Sequence, residues 1–206
     1  MLKKSIFGGL AAGVMITLGA AVYLSCSLSD NKIAGAVLFS LALMVICMLD
    51  MYLFTGKIGL LVEDFSKTNL ISIFVGITTN YITATLGGLL LGFAKPELAE
   101  KAKTMCQTKL EYSWYIAIIL GIFCGILMYT GVKSYAVTKQ PLILIFCVSA
   151  FILSGFEHSI ADMAYFGIAG MFSLKKTGFI VLVLIGNAIG GMLIPALMKG
   201  VKANEK

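Results

Sequence analysis

Apolar residues run through this chain in long blocks separated by short polar intervals. A helix needs about 20 mostly apolar residues to cross a hydrocarbon core of about 30 Å. The blocks that qualify are Ser5–Leu24, Ala34–Leu53, Leu70–Phe93, Tyr112–Val132, Pro141–Ile160 with a continuation to Phe172, and Gly178–Met198. Polar residues collect in the connections Ser25–Lys32, Lys57–Asn69, Ala94–Glu111, Lys133–Gln140 and Ser173–Thr177, none of them long enough for a water-soluble domain. The pattern predicts an all-α membrane protein, with residues 1–206 forming a single transmembrane domain of six helices.

Two blocks are irregular. The second is interrupted by Asp50, by Thr55-Gly56 and by Lys57; the fifth by Ser154-Gly155 and then Glu157-His158-Ser159. Each is the second helix of a three-helix half. Paired interruptions at corresponding positions point to two inverted halves with a site near the midplane. Backbone groups freed at such breaks must be buried in protein or line a wet cavity. The same interruptions also fit ordinary kinks in packed helices. Glycines recur at helical spacing in Gly8-Gly9 with Gly13, Gly87-Gly88 with Gly92, and Gly186 with Gly190-Gly191. Small residues let membrane helices approach closely, so this spacing speaks of packing and names no substrate.

Composition strengthens the membrane reading. The chain is 59% hydrophobic and 13% charged, with a mean hydropathy of +0.98. Soluble domains carry about 25% charged residues. The net charge of +6 comes from sixteen lysines without an arginine. They are scattered between apolar blocks rather than gathered on one face, which argues against nucleic acid as a partner and for loops at a lipid bilayer. With both termini cytoplasmic in a cell inner membrane, Lys3, Lys4, Lys57, Lys67, Lys133, Lys139, Lys199, Lys202 and Lys206 would face inward, against seven lysines outward; the positive-inside rule mildly favours this orientation. The start resembles a signal peptide only superficially, since the apolar run after Lys3-Lys4 is long and no Ala-x-Ala site closes it. Cys26, Cys47, Cys106, Cys124 and Cys147 show no CxxC spacing and read as packing residues. No metal site and no cofactor is expected.

A charge at the bilayer centre is expensive, so Asp50, Glu157, His158 and Asp162 carry the most information. Glu157 stands beside the fifth-helix break, where a carboxylate can accept the bare N–H groups of a half-helix. Asp50 looks like its counterpart in the other half. His158 is the one side chain at depth whose ordinary titration lies near neutrality. Asp162 follows it by four residues and shares its helix face.

These residues also resemble a known pattern. Gly155-Phe156-Glu157-His158-Ser159-Ile160-Ala161 followed by Met163 resembles the fifth-helix signature of the formate/nitrite transporter family. Leu53-Phe54-Thr55-Gly56 after Asp50 is similar to that family's second-helix loop, with Phe39 and Leu43 upstream at the family spacing. Phe151 lies seven residues before His158, and Lys109 precedes the fourth helix where the family carries a vestibule lysine. Gly186-Asn187 with Gly190-Gly191 resembles the sixth-helix glycine motif. The resemblance implies an aquaporin-like fold, assembly as a homopentamer, and one pore per protomer for a small monovalent anion such as formate, nitrite or hydrosulfide. It further implies that His158 and Thr55 face each other at the pore centre. Phe39, Leu43 and Phe151 would constrict one side, and Leu53 and Phe54 the other. Lys109 would concentrate the anion, and protonation at the central histidine would let it cross as its conjugate acid. The chain departs from the family at Asp162, where an asparagine is usual, and at Gly125, where a pore-facing asparagine stands on the fourth helix. The third-helix Gly-Asn pair appears as Thr83-Ala84. The family's N-terminal amphipathic helix has no counterpart here, which implies a constitutively open pore.

Other readings remain. An aquaporin-like channel for small neutral solutes fits the broken halves, and an acidic Asp162 would disfavour anions; the three prolines, however, form no Asn-Pro-Ala motif. An intramembrane enzyme would need a nucleophile or metal ligands beside Glu157 and His158. A non-conducting scaffold would have no use for buried titratable groups.

Overall fold

The structure, a computed structural model, describes residues 1–203; Lys206, counted above among the inward lysines, lies outside them. The elements are α1 (Leu2–Leu28), α2 (Lys32–Met48), α3 (Phe54–Lys57), α4 (Leu60–Glu63), α5 (Lys67–Ala94), α6 (Pro96–Leu110), α7 (Trp114–Thr138), α8 (Leu142–Leu153), α9 (Ser159–Ile168) and α10 (Leu174–Ala203). Four of them, α1, α5, α7 and α10, are long and apolar enough to cross a membrane, whereas α2 and α8 are shorter apolar helices that stop at the interruptions. The expected second and fifth spans are therefore composites, α2–α3–α4 and α8–α9.

The two halves repeat each other in their packing. In the first half α1 lies against α5 and α2; in the second α7 lies against α10 and α8. The halves meet through α5 against α9 and α2 against α8. Glycine makes these approaches possible. A Cβ on Gly190 would sit 2.0 Å from the Ile122 carbonyl oxygen at the α7–α10 crossing, and one on Gly167 would sit 2.5 Å from the Thr85 carbonyl oxygen at the α5–α9 crossing. Gly125 belongs to the same crossing as Gly190: a Cβ there would meet the Asn187 carbonyl oxygen at 2.4 Å. It is a packing position, and the expected vacancy of a pore-facing asparagine at Gly125 is corrected accordingly.

Both breaks begin in the same way. After α2, Met51 N–H donates to the Ile46 carbonyl (2.8 Å) and Asp50 N–H to Cys47 (3.3 Å); after α8, Phe156 N–H donates to Phe151 (2.9 Å) and Gly155 N–H to Ile152 (3.2 Å). These are paired Schellman stops, which require a left-handed residue after the cap. That residue is Asp50 (φ +48°) in one half and Gly155 (φ +70°) in the other. Asp50 is thus the counterpart of Gly155 and not of Glu157. Its carboxylate is well exposed and pairs with Lys4 and Lys57. It supports the break through its backbone conformation and through tying α1 to α3.

The chain leaves each stop extended, and one asparagine satisfies each extended segment. Asn80 on α5 accepts from Phe54 N–H (3.0 Å) and donates to the Gly9 (2.9 Å) and Tyr52 (3.0 Å) carbonyls. Asn187 on α10 accepts from Ser159 N–H (2.9 Å) and donates to the Gly121 (2.9 Å) and Glu157 (2.8 Å) carbonyls. Both side chains are fully buried. The clamp asparagine of this helix stands at Asn80, one helical turn before Thr83-Ala84. The carboxylate of Glu157 takes no part in this clamp. Asn187 and His158 satisfy the amides that Glu157 was expected to hold.

Orphaning a buried donor or acceptor costs about 1–3 kcal/mol. Asn80→Ala and Asn187→Ala are each expected to destabilise the protein by about 2 kcal/mol or more, lowering the thermal midpoint in detergent by roughly 4–8 °C at the sensitivity of a chain this size. A midpoint within 1–2 °C of wild type, roughly the experimental scatter, would show that the clamps are dispensable.

Candidate functional site

The clamp on the second break turns His158 inward at the start of α9. As the N-cap of that helix, its Nδ1 accepts the Ala161 N–H at 3.0 Å. Its Nε2 meets Thr55 Oγ1 at 2.9 Å, across the boundary between the halves. A ring nitrogen that accepts a backbone N–H carries no proton, so the ring is neutral at rest and Nε2–H donates to the threonine. Both residues are buried. The imidazole stacks on Phe151, with ring centroids 5.6 Å apart and 21° between planes, and Phe151 in turn meets Phe39 edge-on at 6.3 Å.

One cavity reaches His158, and a second reaches Leu53 and Gly56 on either side of Phe54-Thr55. On the α6 side, one of about 260 Å³ is lined by His158, Phe151, Lys109, Glu157, Asp162, Tyr23 and Tyr165, among others. On the side of the N-terminus, one of about 510 Å³ is lined by Leu43, Leu53, Gly56, Asp50, Lys57, Tyr135 and Lys139, among others. The site residues named from the sequence fall in different places. Phe151 faces the first cavity. Leu43, expected beside Phe151, joins Leu53 on the second. Phe39 and Phe54 are buried behind these faces, Phe54 with its amide on Asn80.

Lys109, in the last turn of α6, reaches back over the first cavity and pairs with Glu157 and, at 3.0 Å, with Asp162. Its ammonium also lies 5.9 Å from the Tyr165 ring centroid. Both carboxylates are almost fully buried, and the lysine side chain is only 12% exposed. Lys109 thus sits inside a compact ion cluster at the cavity wall.

Several site residues escaped the sequence reading. Helix α6 was placed in a connection, although Pro96 opens it and the buried Leu98, Ala102 and Cys106 repeat at four-residue spacing, one position set short of Lys109. Tyr165 was not named, although it continues the face of His158 and Asp162 by a further three residues. Asn80 was readable as a lone amide in the middle of an apolar helix.

The match to known proteins agrees with this arrangement. The family model described as formate/nitrite transporter matches residues 1–201. The chain belongs to the formate/nitrite transporter family. Among its relatives, the formate channel FocA of Haemophilus influenzae is 27% identical over 184 residues, 77% of this chain and 64% of that protein. FocA of Escherichia coli K12 is 25% identical over 185 residues, 78% of this chain and 64% of that protein. The chain thus spans just under two thirds of the length of the FocA proteins it matches. Among solved structures, a pentameric formate channel with formate bound superposes with a TM-score of 0.85 at 20% identity, over 98% of this chain and 97% of that one. An ion channel of the same family gives 0.82 at 18% identity, over 95% and 88%. At these identities the likeness of the structures shows a shared fold: an all-helical bundle of two inverted halves.

The resting tautomer can be read directly. Nitrogen-15 spectra of ring-labelled protein at neutral pH should show His158 Nδ1 bare and Nε2 protonated. A doubly protonated ring would contradict the cap.

Proposed function

We propose that the chain is a membrane channel for a small monovalent weak-acid anion of the formate, nitrite or hydrosulfide class, which crosses as its conjugate acid. The single observation that carries this reading is the 2.9 Å Thr55–His158 contact set between two cavities and flanked by Phe151, Phe39, Leu43 and Leu53. A bare anion would lose its hydration among these apolar side chains at a prohibitive cost. Desolvation raises the pKa of a neutral acid, because it disfavours the charged form. A weak-acid anion that takes up a proton at the cavity edge meets no such barrier. At the centre it can donate to, or accept from, the hydroxyl and the imidazole in place of their mutual bond.

His158 is the polar contact for the passing acid rather than the resting store of its proton. Its Nδ1 is occupied as an acceptor, and a neutral ring that released the Nε2 proton would become an imidazolate. The lysines lining the vestibules draw anions toward either mouth. The FocA names and the formate-bound pentamer support formate as the reference substrate and a homopentamer as the assembly. The lysine distribution supports cytoplasmic termini in a cell inner membrane, and in that orientation the α6-side cavity is the outer one.

A second reading has one observation in its favour: two buried carboxyl groups share the single ammonium of Lys109, an environment that suits small neutral solutes. Tracer flux and osmotic swelling in proteoliposomes separate the two, since an anion channel passes formate, nitrite or hydrosulfide with protons, whereas a neutral-solute pore swells with small uncharged solutes and passes none of these anions. His158→Asn and Thr55→Val each remove one partner of a buried hydrogen bond, worth about 1–3 kcal/mol. Formate flux is expected to fall about 5- to 150-fold in either variant. Wild-type rates in both would sink the role of the pair.

A further inference from the structure

The cluster at the α6-side cavity has a mismatch in its hydrogen bonds. Asp162 places one oxygen on Lys109, while its other oxygen, Oδ2, is buried and has no donor. The carboxyl group of Glu157 sits on the same ammonium, so two buried acids converge on one cation. Two carboxylates cannot donate to one another, and two like charges buried against one ammonium at a cavity wall are costly to keep ionised together. One proton between them supplies the missing donor and leaves a single negative charge facing Lys109.

None of the surrounding groups is hydrogen-bonded to that oxygen. From α6 come Lys109, Thr108 and the thiol of Cys106; after α6, Tyr112; from α7, the thiol of Cys124; from the break, Glu157 and His158; from α9 itself, Tyr165; and from α1, Tyr23. Lys176 of α10 is buried too, but its ammonium is taken up by the Tyr81 hydroxyl at 3.3 Å and by the rings of Tyr81 and Phe172. The carboxyl groups line the same cavity as His158, so an anion in that cavity meets them together with the histidine.

We infer that Glu157 and Asp162 share one proton at neutral pH and that this pair, rather than His158, hands the proton to the incoming anion. In the step the O–H bond of the pair breaks and an O–H bond forms on the substrate: one carboxylic acid and formate become one carboxylate and formic acid. The formic acid moves on to Thr55 and His158. The pair, now carrying two negative charges beside one ammonium, takes a proton from water in the α6-side cavity and returns to its starting state. The donor role rests on the transport reading above; the shared proton does not.

Infrared spectroscopy of the purified full-length protein at neutral pH tests the shared proton without any transport. A deuterium-sensitive C=O band of a protonated carboxyl group is expected in wild type and lost in both Asp162→Asn and Glu157→Gln, because either change leaves a lone carboxylate paired with Lys109. Absence of the band in wild type, or its survival in both variants, would overturn the proposal. Formate flux tests the donor role. A channel that relies on the bulk acid form loses about tenfold in rate per pH unit above the substrate pKa. Asp162→Asn is expected to show that slope, and wild type a clearly shallower one. Equal slopes would overturn the donor role. A wild-type protein that passes none of formate, nitrite and hydrosulfide would refute the transport reading, and the infrared band then judges the shared proton alone.

Discussion

Two asparagines hold open two broken helices, and everything at the centre depends on that. Inside a bilayer each freed amide and carbonyl must find a partner within the protein. Asn80 and Asn187 each take one amide and two carbonyls, bridging three elements with a single side chain. With the extended segments fixed, the chain can present Leu53 and His158 as the cap residues of α3 and α9.

The symmetry of the clamps makes the asymmetry of the site intelligible. Tyr52 and Glu157 offer the same carbonyl to their asparagines, Phe54 and Ser159 the same amide, and Leu53 and His158 stand between. The backbone is duplicated and the chemistry is not. One half supplies an apolar leucine where the other supplies the imidazole, and one supplies a tyrosine where the other supplies the carboxyl group that meets Lys109. Polar function is concentrated in the second half, and the first contributes Thr55 and an apolar wall.

Much of this was legible in the residues. Block lengths located the long helices, and the interruptions at Asp50–Gly56 and Ser154–Ser159 located both breaks. The pairing of Asp50 with Glu157 failed because it matched acid with acid. The structure matches backbone with backbone, and there a left-handed Asp50 stands opposite Gly155. Helix α6 was missed because hydropathy averages over its exposed lysines, while its narrow buried stripe carries the packing. The contact between Lys109 and two acids could not be read at all, since it joins residues 48 and 53 positions apart through the return of α6 over α9.

Passage as a conjugate acid makes one demand that passage of the bare anion does not share: substrate must move without net charge. Tracer formate flux and current, recorded together across the same bilayers containing the wild-type protein, put this to the test. Electroneutral passage predicts formate movement with little accompanying current and with uptake of about one proton per formate. A current of about one charge per formate would contradict it.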